Sequence, residues 1–208
     1  MDQIGTLYIV ATPIGNLEDV SLRTLRILKE ADFVLCEDTR VTKKLLNFYG
    51  ITTSTISYHQ HSPPKTKEYI FQLLSQGKNL ALVSDAGTPG ISDPGNELIS
   101  FVLSSTKTKQ LSDFCTLKIV PIPGPSALLA LASVAGIPMD KFLFFGYPPH
   151  KKGRKKFFEE IAQSANPVIF YESPFRVLKS LQELYALRPA CSLVIGRELT
   201  KIFETVYR

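Results

Sequence analysis

Apolar positions along the chain fall into short runs separated by turn-forming residues, and the runs alternate between strand-like and helix-like spacing. Thr6–Ala11 (TLYIVA) is continuously apolar and β-favouring. A strand covered on both faces reads this way, without polar alternation. Thr12-Pro13-Ile14-Gly15-Asn16 breaks the run. Leu22, Leu25 and Leu28 then recur at helical spacing, with Asp19 or Ser21 as N-cap. Phe33–Cys36 predicts a second strand, Lys44–Tyr49 a short helix stopped by Gly50, and Thr55–Tyr58 a short strand. Lys67–Gln76 places Ile70, Leu73 and Leu74 on one helical face and stops at Gly77. Leu80–Val83 predicts another buried strand that runs into the loop Asp85–Gly95. Asp93 and Pro94 supply an N-cap and first-turn proline for a helix to about Ser104, and Leu117–Val120 predicts a further strand.

Pro121-Ile122-Pro123-Gly124-Pro125 then sets three prolines in five residues, which neither a helix nor a central strand accepts. The expected division is a first domain over residues 1–120, a proline-rich link over 121–125 and a second domain over 126–208. In the second, Ser126 caps an apolar helix to about Ala135, Phe142–Phe145 is a strand, and a basic loop leads into an amphipathic helix to Ala162. Val168–Glu172 reads as a strand, Ser173-Pro174 opens the helix Phe175–Leu187, and Ser192–Arg197 is a strand. Strands alternating with helices predict a mostly parallel α/β fold. Such sheets bind ligands beyond the carboxyl ends of their strands, so the loops after strands are where chemistry is expected.

The length of 208 residues and the 44% apolar content allow one large domain or two small ones with a packed core. The longest helix-compatible apolar run, Ala127–Val134, is too short to span a bilayer, and Met1–Ile4 lacks the basic start of a signal peptide. Cys36, Cys115 and Cys191 share no metal-ligand spacing, and their odd number argues against a disulfide framework. A reduced, cytoplasmic protein without metal or membrane partner is expected, with Cys36 as a small core residue. The net charge is +5, and residues 150–156 (HKKGRKK) hold five Lys/Arg and no acid. The rest of the chain carries 19 cationic and 19 acidic side chains, so the basic character belongs to one segment. Lys151, Lys152, Arg154, Lys155 and Lys156 are either a solvated face or a contact to the phosphates of a polyanion.

The loop Asp85–Gly95 (DAGTPGISDPG) combines small residues, an acid at a strand end and a helix start with free N–H groups. It suits a nucleoside-like cofactor, or is a tight turn joining strand to helix. No G-x-x-x-x-G-K-[ST] or G-x-G-x-x-G motif is present, which weakens nucleotide hydrolysis and dinucleotide chemistry. Glu37-Asp38-Thr39-Arg40 is either a self-satisfied helix cap with Arg40 paired to an acid, or a charged platform for a polar substrate. His59 and His61 sit at i,i+2 with no third ligand for zinc; one of them is a general base or both are surface residues.

Taken in order, GTLYIVATPIGNL (5–17), CEDTR (36–40), SDAGTPGISDPG (84–95), PGPSA (123–127), FYESPFR (170–176) and RELTK (197–201) resemble the ribosomal RNA small subunit methyltransferase I family, of the tetrapyrrole methylase superfamily. The resemblance spans essentially the whole chain. It implies two α/β domains with S-adenosylmethionine in the cleft between them, and 2′-O-methylation of a cytidine ribose in the decoding region of 16S ribosomal RNA. It implies cofactor contacts from Pro13, Ile14, Asp85, Gly87, Thr88, Ile91, Ser126, Ala127 and Tyr171. It implies the small ribosomal subunit as partner and a homodimer. Family members continue beyond RELTK, whereas here Glu204–Arg208 reads like the start of another strand, so the second sheet is expected to be incomplete. Methyl transfer from a sulfonium needs alignment and a base near the hydroxyl. Asp38, His61 and Glu172 are the candidates, with Arg40 orienting the acid or an RNA phosphate. The alternatives are a methyltransferase acting on a small molecule such as a tetrapyrrole, and a non-catalytic RNA-binding module.

Overall fold

A computed structural model of the protein describes residues 4–93, 95–108 and 117–208, except the side chains of 107 and 108. Pro94 and Cys115, singled out above, lie outside the described residues. The chain forms two compact units, the first ending at Ser126 and the second spanning Ala127–Arg208.

The first unit is a five-stranded, all-parallel sheet in the order β3-β2-β4-β1-β5. Its strands are β1 (Thr6–Val10), β2 (Phe33–Cys36), β3 (Ser54–Ser57), β4 (Leu80–Val83) and β5 (Lys118–Ile122). Its helices are α1 (Leu22–Glu30), α2 (Thr39–Phe48), α3 (Pro64–Ser75) and α4 (Gly95–Thr108). The helices divide between the two faces. Ile27 and Leu28 of α1 and Leu45 and Leu46 of α2 pack on Val10, Val34, Ala81 and Val83. Ile70, Phe71 and Leu74 of α3 and Leu98 and Val102 of α4 pack on Leu7, Leu35, Leu80 and Leu82. Alternate residues of β4 thus enter opposite cores, and all four are buried. That is why the strand reads as an unbroken apolar run.

Local chemistry sets the boundaries. Ser21 caps α1, its Oγ accepting from the Thr24 N–H at 3.0 Å. Leu22, expected on the apolar face of α1, is instead 85% exposed, because the face turned inward is Thr24, Ile27 and Leu28. The second helix begins five residues before the expected Lys44, at Thr39, with Asp38 as its cap. Strand β5 runs through Pro121 to Ile122, beyond the expected Val120. It is an edge strand, where a missing N–H breaks no central ladder. The other edge, β3, is the polar run STIS.

The second unit holds α5 (Ala127–Val134), α6 (Arg154–Gln163) and α7 (Val177–Leu187). Strands β6 (Leu143–Phe144) and β7 (Val168–Ile169) pair in parallel. Strands β8 (Ile195–Arg197) and β9 (Thr205–Tyr207) pair antiparallel, so the residues around Glu204–Arg208 do form a strand. Phe145, Phe157, Phe158 and Phe170 make edge-to-face contacts at 5.3–6.0 Å between centroids, forming an aromatic core. Helix α7 starts later than the expected Phe175, and β7 ends before Glu172.

Candidate functional site

The strand order places β1 beside β4, yet the helices that follow them lie on opposite faces of the sheet. Their outgoing chains therefore part, and a crevice opens at the carboxyl ends of these two strands. Two backbone hydrogen bonds clip its walls: Thr12 N–H donates to the Gly87 carbonyl at 2.9 Å and Gly87 N–H to the Thr12 carbonyl at 3.1 Å. Thr12 Oγ1 also donates to the Ser84 carbonyl, and Ser84 Oγ to the Gly87 carbonyl, both at 3.1 Å. Gly87 has φ +86°, and an added Cβ would meet Ile14 Cγ2 at 3.4 Å. Thr88 Oγ1 donates to the Pro125 carbonyl at 3.1 Å. A Cβ on Gly124 would lie 2.9 Å from that of Ala11. The loops after β1, β4 and β5 are thus drawn together into one cradle of small residues.

Beside it lies a polar hollow of about 530 Å³. Glu37, Asp38, Thr39 and Arg40 enter it from the end of β2, Ser57, His59, Gln60 and His61 from the end of β3, and Asp85 from the end of β4. Asp85 belongs to both features. Its Oδ1 accepts from the Asp38 N–H at 3.1 Å, and its Oδ2 makes no hydrogen bond among the described residues.

Asp38 is both cap and counter-ion. Its Oδ1 accepts from the Arg40 N–H at 2.8 Å, and Arg40 Nη2 lies 2.7 Å from Oδ2. Hydrogen bonding from the Arg40 side chain, then from its backbone, holds the Asp38 carboxyl down at about 2. The self-satisfied cap weighed from the sequence is therefore the arrangement built, and it still leaves Arg40 Nη1 without a hydrogen bond among the described residues. His59 Nδ1 accepts from the His61 N–H at 3.2 Å, which leaves the ring proton of a neutral His59 on Nε2. The His61 ring makes no hydrogen bond among the described residues. Cys36 is fully buried, and burial pushes its thiol up, as a core cysteine requires.

In the second unit, Glu172 is not an open carboxylate. Its side chain is 6% exposed and accepts from Ser180 Oγ at 2.6 Å, Ser173 N–H at 2.7 Å and Arg176 Nε at 3.0 Å. Burial pushes its carboxyl up, but these hydrogen bonds and the Arg176 charge outweigh it and hold it below the usual value. Arg154 corrects the reading of the basic run. It opens α6 rather than lying in a loop, its side chain is 7% exposed, and it donates to Glu183 at 2.9 Å and Ser180 at 2.8 Å. Its guanidinium also covers the Phe158 ring at 4.9 Å. It is a buried brace between α6 and α7, not a solvent-facing cation. Lys151, Lys152, Lys155 and Lys156 remain exposed.

Residues 6–208 match the family described as Tetrapyrrole (Corrin/Porphyrin) Methylases. The chain belongs to the tetrapyrrole methylase family. Within it, the chain is 44% identical over all of its 208 residues to ribosomal RNA small subunit methyltransferase I of Halalkalibacterium halodurans, covering 68% of that protein. It is 44% identical over 202 residues to the protein of the same name from Vibrio cholerae, covering 96% of this chain and 67% of that one. The chain thus spans about two thirds of the length of these curated relatives and belongs to the same methyltransferase I family. The crystal structure of a cobalt precorrin-4 methyltransferase shares the fold, with a TM-score of 0.68 at 16% identity over 97% of this chain and 84% of that one.

In this methylase the expected cofactor residues divide between the units. Pro13, Ile14, Asp85, Gly87, Thr88, Ile91 and Ser126 lie in the first, and Ala127 and Tyr171 in the second. The Tyr171 ring packs against Phe144 at 5.0 Å and Tyr147 at 5.3 Å. Among the catalytic candidates, Asp38, Arg40 and His61 share the hollow; Glu172 belongs to the ion cluster of the second unit. Glu37, Ser57 and Gln60, which were not among the expected catalytic residues, line the same hollow. Their position at the ends of β2 and β3 was the available signal. Among the described residues, no helix is long and apolar enough to cross a membrane, and no cluster of three or more acids, histidines or cysteines could hold a metal ion.

Proposed function

We propose that this chain transfers a methyl group from S-adenosylmethionine to ribosomal RNA of the small subunit, at the 2′-hydroxyl of a cytidine ribose. The observation that carries the reading is the junction at Asp85 of the small-residue cradle with the hollow holding Arg40 and His61. The relatives' shared name and the localised run of exposed lysines support an RNA substrate.

The cradle fits an adenosyl group. The φ of +86° at Gly87 disfavours a side chain and Ala11 leaves no room for one at Gly124, so both walls are bare backbone that a flat ligand can approach closely, and the 43% exposed Ile91 offers apolar contact. Asp85 Oδ2 is available to a ribose hydroxyl or an amine. When bound, S-adenosylmethionine supplies an already activated methyl group. The chain's own task is to align the RNA hydroxyl, exclude water and take up its proton. At neutral pH the Asp38 carboxylate has too little affinity for that proton, because Arg40 holds it ionised. Its work is to fix Arg40, whose Nη1 can meet a phosphate next to the target ribose. Imidazole can accept a proton at a ring nitrogen, and the His61 ring is the one in the hollow with no internal hydrogen bond among the described residues.

The test is methyl incorporation from labelled S-adenosylmethionine into assembled small ribosomal subunits and, in parallel, into free porphyrinoids. Label in a ribose 2′-O-methyl cytidine of 16S RNA is expected. Label in the porphyrinoid alone would replace this reading with the small-molecule one. Cofactor binding without transfer to either acceptor would also sink it.

A further inference from the structure

We propose that Phe175 is a stacking platform for an unpaired RNA base, set beside the lysine run that meets the RNA backbone. The proposal rests on the RNA-directed reading above. Phe175 is 97% exposed, whereas Phe145, Phe157, Phe158 and Phe170 of the same unit pack together; Phe203, 74% exposed, also faces outward but lies far along the chain from the basic run.

The exposure is not that of a loose tail. Phe175 N–H donates to Ser173 Oγ at 3.4 Å, and the Ser173 carbonyl accepts from Arg176 at 2.9 Å and Val177 at 3.1 Å. Buried Glu172 anchors the same turn through Ser173 and Arg176. A ring presented on a fixed turn sacrifices little freedom when a base settles on it.

Its surroundings are cationic. Arg176 Nη1 lies 2.7 and 2.8 Å from the two ring nitrogens of His150, the first residue of the basic run. That interaction ties the Phe175 turn to the segment carrying Lys151 and Lys152, both exposed. Lys155 and Lys156, 89% and 80% exposed, lie 3.7 and 3.8 Å from Glu159 and Glu160, so Lys151 and Lys152 are the lysines of the run with no ion pair among the described residues. An aromatic face next to cations that follow a backbone is the composition of single-strand binding. A second copy of this chain is the competing occupant, since Leu178 and Tyr185 of α7 are also exposed. A two-fold interface there would set two copies of one basic run against each other, which opposes it.

The experiment measures fluorescence anisotropy of a labelled, unstructured oligocytidine with the full chain across a salt series, with sedimentation and thermal melts alongside. Phe175→Ala should weaken binding about five- to a hundredfold at unchanged salt slope. Phe175→Tyr should bind within about threefold of the wild type. Lys151→Ala with Lys152→Ala should instead lower the salt slope by about one for each phosphate that the variant no longer neutralises. If Phe175→Ala binds like the wild type while the lysine variant is weakened, the platform is wrong and the RNA reading stands. If Phe175→Ala and Leu178→Ala both change the sedimenting mass and leave RNA binding intact, the face is a self-interface and the platform is again wrong. If the wild-type chain binds neither the oligomer nor small subunits, both readings fail.

Discussion

Arg40 clasps the carboxylate of Asp38 from two residues along the chain, with Nε 3.1 and 3.2 Å from its two oxygens and Nη2 2.7 Å from Oδ2. The same carboxylate caps α2, so one acid fixes both a helix start and the direction of a guanidinium. This geometry separates two residues that sequence alone left equivalent as bases. Asn caps helices as well as Asp does, so Asp38→Asn keeps the cap while removing the charge and one of the two oxygens that hold Arg40. Single-turnover methylation by that variant should stay within about tenfold of the wild type, because no proton transfer passes through Asp38. His61→Ala should cost about a hundredfold or more if its imidazole is the base. Rapid-quench rates at saturating cofactor check both. A large loss in Asp38→Asn with a silent His61→Ala would reverse the assignment.

The cradle rests on close backbone approach, and two glycines test it separately. Gly87 sits at φ +86°, where an alanine costs about 1–2 kcal/mol through backbone strain alone. Gly124 faces the fully buried Ala11, and a Cβ 2.9 Å from that of Ala11 forces a wall of the crevice apart. Overpacking of this kind costs about 1–3 kcal/mol. Both alanine variants should melt earlier, and both should lose affinity for S-adenosylmethionine in calorimetry at temperatures where they remain folded. Unchanged affinity in both would mean the cofactor does not touch this cradle.

The sequence carried the sheet further than the site. Strands β2 and β4 fall at their expected residues because an apolar run covered on both faces has no polar residue to blur its ends. The apolar spacing put the start of α2 at Lys44 because Thr39, Val41 and Thr42 are poor helix formers, whereas the cap reading of Asp38 and Thr39 matches the observed start. Pro121 hid the end of β5, since only the strand order reveals that this strand is an edge. In the hollow, the residue types were legible, but the hydrogen bonds that divide their roles were not. Arg154 is the sharpest case. It sits four residues before Phe158, hence on the same helical face, and Phe158 is 1% exposed. That spacing hinted that Arg154 turns inward. Its partners Glu172 and Glu183 come from distant parts of the chain that no local pattern connects.

Arg154 and Glu172 give the second unit a built-in acid sensitivity. Both side chains are nearly buried, at 7% and 6% exposure, and Ser180 bridges them by donating to Glu172 while accepting from Arg154 Nη2. Removing one partner of such a pair leaves the other charged and desolvated, so Arg154→Ala should destabilise this unit by about 3–5 kcal/mol. The Glu172 carboxyl is held below its ordinary value in the folded chain. Its contribution is therefore complete above the unfolded carboxylate value of about 4.3 and fades as pH falls through the lower, folded one. Melts followed by circular dichroism should show the wild type losing stability below about pH 4, the lower part of this loss coming from Glu172. In Glu172→Gln, stability should already be reduced at neutral pH, and the difference from wild type should shrink as the medium is acidified. A difference that stays constant from pH 7 to pH 3 would show that Glu172 is not the titrating group, and the ion cluster would then be a packing element without electrostatic consequence.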